Sequence, residues 1–361
     1  LNITQLPMIE DNDTIEPKEI KVIASPVQSS SFFSRSQPPK PEISITELFL
    51  LNDQIGPENI AVEYRDNIEA KKAAALFYFQ RSKYTEASQI YSQLFESFPF
   101  CVDGLDIYST VLWQLKDTLT LSNLVRNLTP MAPNCPEPWI AAGNLLSLNQ
   151  KNDEAIKMFE RAANISKSCS YALALAGQEY LLTEKSKEAE NAFKMSIDRN
   201  PLEWPAWYGL GEVKFRQDSF SAAEYYIGKA FRLNPFSSVL CCIYSKVLKR
   251  CGRNQDALDM LNRSIELDPL NSIAIYEQGC LFYEMGELEK ARECLQIASP
   301  LAIQEPTISF MLGKINEQLG DFHNSLSYFV DASIKGYPEK EQINAELNGI
   351  NQILDDLFQK E

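Results

Sequence analysis

A chain of 361 residues, 45% of them hydrophobic, is long and apolar enough to bury a sizeable core, which excludes wholesale disorder. Its 34 basic and 49 acidic residues give a formal net charge of −15, which opposes binding to nucleic acid or anionic membranes and favours basic protein partners. Because no apolar run could cross a bilayer and the first ten residues lack a signal-peptide pattern, we expect a soluble intracellular protein.

The N-terminal stretch, residues 1–41, is polar and rich in proline and serine, as in Pro38-Pro39. Such a composition cannot bury enough surface to order itself, so it predicts a disordered linker, with Ser25-Pro26 as a minimal phosphorylation site. Residues 42–66 hold a short apolar segment that Gly56-Pro57 interrupts, which predicts a capping helix or a partial repeat. Because the chain begins with Leu1 and not with methionine, we expect a fragment or a processed protein.

A period of 34 residues, starting at Ile68, governs the rest of the chain. Counting each unit from its first residue, position 8 is small in all eight units, where two helices would cross closely. Its residues are Ala75, Ser109, Gly143, Gly177, Gly211, Ser245, Gly279 and Gly313. Position 20 is small in seven of the eight units, the exception being Leu121, and position 24 is apolar throughout. Proline recurs at position 32, where it ends the second helix.

This period is the signature of the tetratricopeptide repeat, a helix–turn–helix unit. The sequence therefore predicts an all-α, right-handed superhelical solenoid of eight units over residues 68–339. Residues 340–361 carry one last amphipathic segment, with Ile343, Leu347 and Ile350 on one stripe, which predicts a C-terminal capping helix.

Residues for catalysis and for metal or cofactor binding are scarce. The single histidine, His323, falls near the start of a helix where a repeat protein exposes its side chain, and no phosphate-binding loop occurs. Eight cysteines lack a metal-binding spacing and fit buried, reduced thiols. Gly209-Leu210-Gly211 lies inside a predicted helix, so close helix packing explains it better than a dinucleotide site. We expect neither enzyme activity nor a cofactor.

The first helix of each unit should line a concave groove through positions 2, 5, 9, 12 and 13. Lys246, Lys249 and Arg250 form a basic patch there, which we expect near the acidic Glu179 and Glu212. A groove with both positively and negatively charged side chains would suit a peptide that carries a cationic side chain and a free C-terminal carboxylate. An ordinary solvated helix face is the alternative interpretation.

Four strings go beyond a generic repeat: DIYSTVLW at 106–113, PEPWIAAGN at 136–144, AWYGLG at 206–211 and NPFSSVL at 234–240. Together they resemble the cell-division-cycle scaffold subunit of the anaphase-promoting complex (cyclosome), a ubiquitin ligase, over residues 68–336. The resemblance implies a non-catalytic subunit whose groove binds C-terminal Ile-Arg tails of coactivators and of the processivity subunit, alongside other repeat subunits. It also implies a nuclear and cytoplasmic protein, and a parent that dimerises through an upstream repeat block.

The resemblance implies that the tail-binding groove lies on the third to fifth units. The residues it implies are Asn144, Leu175, Gln178, Glu179, Tyr208 and Glu212, with Glu179 as the partner of the tail arginine. Arg216, Lys246 and Arg250 are the candidates for binding the tail carboxylate.

Other repeat proteins fit less well. A chaperone-binding adaptor needs lysine at position 5 and asparagine at position 9 of one unit, whereas the unit with Asn144 has Ile140 at position 5. A sugar transferase would need a catalytic domain that the residues after the repeats cannot supply. A trafficking or secretion adaptor remains the serious alternative.

Overall fold

Apolar residues at helical spacing fold the chain into seventeen α-helices and no strand within the described residues, 68–98 and 101–358 of a computed structural model. The predicted linker and the predicted cap at 42–66 lie outside these residues. In chain order the helices are α1 (Ile68–Gln80), α2 (Tyr84–Ser97), α3 (Leu105–Gln114), α4 (Thr118–Leu128), α5 (Glu137–Leu148), α6 (Asn152–Ile165), α7 (Ser170–Leu182), α8 (Ser186–Arg199), α9 (Trp204–Arg216), α10 (Phe220–Leu233), α11 (Ser238–Arg250), α12 (Asn254–Leu267), α13 (Ser272–Glu284), α14 (Leu288–Leu301), α15 (Pro306–Gln318), α16 (Phe322–Ile334) and α17 (Lys340–Phe358).

The first sixteen helices pair into eight units, from α1–α2 (unit 1) to α15–α16 (unit 8). The two helices of a unit pack against each other, and the second helix, helix B, packs against helix A of the next unit. This nearest-neighbour stacking confirms the predicted all-α repeat solenoid. None of the described helices is both long and apolar enough to span a membrane.

Position 8 marks the crossing of helices A and B, as the sequence predicts. A Cβ atom built on Gly177 would lie 2.5 Å from the Phe193 ring, and one on Gly313 would lie 2.8 Å from the Phe329 ring. The ring belongs to position 24 of the same unit, so the glycine and the bulky residue form one interlocked contact. Position 20 is buried in every unit, including at Leu121. Gly209 also abuts the Phe193 ring, which confirms the packing interpretation of that glycine pair.

Position 15 lies in the left-handed backbone region in all eight units, with φ between 56° and 80°. Only three of these residues are glycine; the eight are Ser82, Lys116, Gln150, Glu184, Asp218, Gly252, Gly286 and Gly320. The following N–H bonds back to the carbonyl five residues earlier, as from Lys83 to Tyr78 at 2.9 Å. This is the Schellman arrangement, which ends helix A and reverses the chain into helix B.

Helix α17 covers the last unit. Its Ile343 and Ile350 are buried against Phe310, Phe329 and neighbouring apolar residues of unit 8. His323 is exposed at the start of α16, as the sequence predicts.

Candidate peptide-binding groove

A groove of about 310 Å³ lies where the helices A of several units face one another. It is lined by units 1, 2, 4, 5 and 6, mostly through positions 2, 5, 6, 9, 12 and 13. The lining residues are Phe79, Gln80, Ser82, Tyr84, Thr110, Trp113, Gln114, Tyr171, Leu175, Gln178, Leu181, Leu182, Trp204, Pro205, Tyr208, Glu212, Arg216, Ser237, Val239, Leu240 and Ile243.

Apolar and aromatic side chains form most of the wall. Leu175, Leu181 and Leu182 project from α7 toward the groove, and Trp113 and Trp204 flank them. Such a surface can take up an aliphatic side chain, while its few polar groups orient the rest of a ligand.

An ion pair supplies both charges of the groove. Arg216 and Glu212 lie one turn apart on α9, with Arg216 Nη2 2.5 Å from Glu212 Oε1. Arg216 Nη1 also donates to the Leu181 carbonyl at 3.1 Å, which fixes the guanidinium against α7. Burial raises the pKa of the Tyr208 hydroxyl beside them, and the Glu212 carboxylate adds to the shift, so Tyr208 stays a neutral donor.

Asn144 is 3% exposed and lies behind the wall. Its amide donates to Ser109 Oγ at 2.8 Å and to Thr110 Oγ1 at 3.2 Å. Thr110 Oγ1 also accepts from the Tyr171 hydroxyl at 2.9 Å. Because Thr110 and Tyr171 line the groove, Asn144 acts as a positioning residue that orients the wall.

Glu179 is likewise buried, at 5% exposure. Its Oε1 accepts from Ser147 Oγ at 2.5 Å, and Ser147 Oγ accepts from the groove-lining Trp113 Nε1 at 3.0 Å. Its other oxygen, Oε2, has no hydrogen-bond partner. Burial raises the pKa of Glu179, and the Ser147 hydrogen bond partly offsets the shift.

Two of the three basic residues predicted to bind the tail carboxylate, Lys246 and Arg250, do not line the groove. Lys246 pairs with Glu277 at 2.9 Å, and the Arg250 guanidinium stacks 4.4 Å from the centre of the Phe220 ring. The structure thus brings five of the predicted residues into one groove, namely Leu175, Gln178, Tyr208, Glu212 and Arg216.

Units 1 and 2 contribute wall residues that the sequence analysis did not single out. Thr110 and Trp113 occupy groove positions 9 and 12 of unit 2, so the register alone could have identified them. Phe79, Gln80 and Ser82 come from unit 1 and face units 5 and 6 across the groove. Within the described residues, no three side chains of metal-ligating type cluster together.

Comparison with known proteins agrees with this architecture. Tetratricopeptide-repeat family models match residues 136–169 and 174–238. Cell division cycle protein 27 homolog A of Arabidopsis thaliana is 32% identical over 252 residues, 70% of this chain and 35% of that protein. Anaphase-promoting complex subunit 3 of Schizosaccharomyces pombe is 26% identical over 275 residues, 76% of this chain and 41% of that protein.

The chain belongs to the cell division cycle protein 27 family of tetratricopeptide-repeat proteins. The matched region spans 41% and 35% of the length of those two relatives. A rat member of the cell division cycle protein 27 family is 46% identical over 88 residues, 24% of this chain and 11% of that protein.

A solved structure has the same solenoid fold as this chain. The crystal structure of the APC/C hetero-tetramer Cut9–Hcn1 superposes with a TM-score of 0.70 at 14% identity, covering 84% of this chain and 59% of that one.

Proposed function

We propose that this chain is a non-catalytic scaffold subunit of the anaphase-promoting complex and that its groove binds C-terminal tails ending in Ile-Arg. The names of its relatives support membership of that complex. The observation that carries the tail proposal is the adjacent Glu212–Arg216 pair beside an apolar wall.

The groove matches such a tail group by group. The tail guanidinium would pair with Glu212 and its carboxylate with Arg216, each replacing half of the existing ion pair with a new charged hydrogen bond. The isoleucine would pack on Leu175 and Leu181, where burying its side chain removes apolar surface from water. Glu179 lies behind this wall and is linked to Trp113 through the Ser147 hydroxyl.

Peptide binding measured by fluorescence anisotropy tests the proposal. A peptide ending in Ile-Arg with a free carboxylate should bind, and its C-terminal amide should bind about tenfold more weakly or worse, because one hydrogen bond to a charged group is worth about 1.5–3 kcal/mol. Arg216→Gln should weaken the free acid by a similar factor and leave the amide unaffected. Equal affinities for acid and amide would remove the carboxylate half of the proposal.

Arg250→Gln is the matched control, because Arg250 occupies position 13 of unit 6 as Arg216 does of unit 5. It should leave both affinities unchanged, since Arg250 stacks on Phe220 outside the groove. A loss at Arg250 without one at Arg216 would instead move the carboxylate site to unit 6.

The wider role is to support ubiquitination of cell-cycle regulators during mitosis, in the nucleus and cytoplasm. Its partners would be coactivators, the processivity subunit and other repeat subunits. Affinity purification of the tagged full-length protein from dividing cells tests this role. Recovery of anaphase-promoting complex subunits is the expected result, and recovery of trafficking complexes in their place would favour the adaptor alternative.

A further inference from the structure

Unit 1 contacts the loop between units 5 and 6, although 154 residues separate Gln80 from Asn234. Asn234 Nδ2 donates to the Gln80 carbonyl at 3.3 Å, and the hydroxyls of Ser82 and Ser237 lie 3.4 Å apart. The Arg81 guanidinium lies 4.7 Å from the centre of the Phe236 ring. We call these contacts between residues 80–82 and 234–237 the clasp.

Asn234 differs from its counterparts in the neighbouring loops. Position 31 is also polar in units 4 and 6, where Asn200 and Asp268 each accept a local hydrogen bond, from Leu202 N and Leu270 N at 3.1 Å. Asn234 is 2% exposed, and its Oδ1 has no hydrogen-bond partner. Its side chain therefore makes a hydrogen bond across the groove to Gln80, and its Oδ1 lacks the bond to the local turn that Asn200 and Asp268 make.

The apolar residue Phe236 of the same loop also differs from its counterparts in units 4 and 6. Position 33 is 72% exposed at Leu202 and at Leu270, but 39% exposed at Phe236, which Arg81 partly covers. Two positions of this loop thus depart from the repeat pattern, and both departures serve the contact with unit 1.

The clasp completes the wall of the groove. Gln80, Ser82 and Ser237 belong to the clasp and also line the groove. The clasp therefore joins unit 1 to the loop between units 5 and 6 along one side of the groove, and a ligand that enters from that side needs these residues to separate.

We propose that the clasp is a gate, which opens to admit a peptide to the groove and closes behind it. This inference rests on the proposed peptide-binding function. Its two polar contacts, at 3.3 and 3.4 Å, are longer than ordinary hydrogen bonds, so the clasp can open while the nearest-neighbour packing of the units stays intact.

A disulfide lock tests the gate. Ser82→Cys with Ser237→Cys places two thiols where the hydroxyls now lie 3.4 Å apart. In the oxidised double variant, the association and dissociation rates of the Ile-Arg peptide should both fall about tenfold or more. The reason is that the locked clasp can no longer open to admit or release the peptide. Reduction should restore them. Unchanged rates in the locked protein would overturn the gate.

Weakening the clasp should act in the opposite direction. Asn234→Ala should raise both rates by about fivefold, the factor expected for one ordinary hydrogen bond. Asn200→Ala, at the same position of unit 4, is the matched control for loop stability and should leave the rates unchanged. Glu184→Cys with Ser237→Cys is the control for the lock, since Glu184 occupies position 15 of unit 4 and lies outside the clasp.

A measurement without ligand separates the gate from the proposed function. Dyes attached through unnatural amino acids at the exposed Lys83 and Arg232 report the distance across the clasp by single-molecule energy transfer. We expect a closed and an open population in the wild type, with more of the open one in Asn234→Ala. If no variant binds the peptide, the proposed function fails and these distances decide the gate. A single closed population in both proteins would overturn it.

Discussion

Glu179 is a residue at which burial and chemistry conflict. Its carboxylate is 5% exposed, yet one oxygen has no hydrogen-bond partner. A buried, half-satisfied carboxylate destabilises the fold when it is ionised, and proteins keep such groups mainly at functional sites.

Replacing Glu179 with glutamine should therefore stabilise the protein in a pH-dependent way. Because burial raises the folded-state pKa of Glu179, its protonated form is favoured in the folded state, and that contribution to stability is lost as pH rises through the raised pKa. Glu179→Gln should raise Tm at pH 8 and change it little at pH 4, as measured by differential scanning calorimetry.

Asp153→Asn is the control of opposite sign. A hydrogen bond from Lys185 lowers the pKa of the exposed Asp153, so its contribution is present at neutral pH and is lost as pH falls through the lowered pKa. This variant should lower Tm slightly at pH 8. A pH-independent gain for Glu179→Gln would show that its ionisation is not the cause.

Repeat register and resemblance together identified Leu175, Gln178, Tyr208 and Glu212, which line the groove. They could not distinguish Asn144 and Glu179, which sit behind the wall. Helix A faces both the groove and the helix A of its neighbour, so a small rotation about its axis moves a side chain from one surface to the other.

At the scale of elements, the A–B crossing holds each unit together. Five units use glycine at position 8, and in each of them a Cβ atom would meet the bulky residue at position 24. The bulky side chain cannot move aside, because the core around it is tightly packed; Phe193, for example, is fully buried.

Gly177→Ala should accordingly destabilise the protein by about 1–3 kcal/mol, the usual effect of overpacking a core, as measured by urea denaturation. Gly349→Ala is the matched control, because Gly349 lies inside α17 and a Cβ there would meet nothing within 4 Å. It should stabilise by about 0.5–1 kcal/mol through helix propensity alone. Equal effects of the two variants would contradict the crossing argument.

The turns between helices A and B were not predictable in the same way. Lys116 and Gln150 adopt the left-handed conformation that Gly252 and Gly286 adopt elsewhere. The turn is fixed by backbone hydrogen bonds, which every residue type except proline can make, so position 15 carries no consistent sequence signal.

At the scale of the whole molecule, the last unit of the array has an apolar face with no further unit to cover it. Each unit buries its apolar face against the next, so the last one needs a cap. Helix α17 supplies it through Ile343 and Ile350, and the amphipathic stripe of this helix was visible in the sequence.

Ile350→Ala should expose unit 8 to local unfolding. Removing a fully buried isoleucine side chain costs about 2–5 kcal/mol, and in a repeat array the loss should concentrate in α15, α16 and α17. Hydrogen exchange followed by mass spectrometry should show faster exchange there and unchanged exchange in units 1–4. Ile353→Ala, at a 36% exposed residue of α17, should have little effect, and uniform acceleration along the chain would contradict local unfolding.

The clasp is the part of the whole molecule that the sequence could not predict. Helical periodicity describes neighbours along the array, whereas Gln80 and Asn234 meet only because of how successive units turn around the groove. Neither residue departs from what an ordinary surface loop would carry.

That long separation also has a consequence for how the protein is made. A ribosome adds about 5–20 residues per second, so the 154 residues from Arg81 to Asn234 take about 8–30 seconds to synthesise. During that interval unit 1 can fold on its neighbours, but the residues that complete the clasp have not yet been translated. Each newborn chain therefore passes through a stage in which its groove has one side missing, before any peptide has to open it.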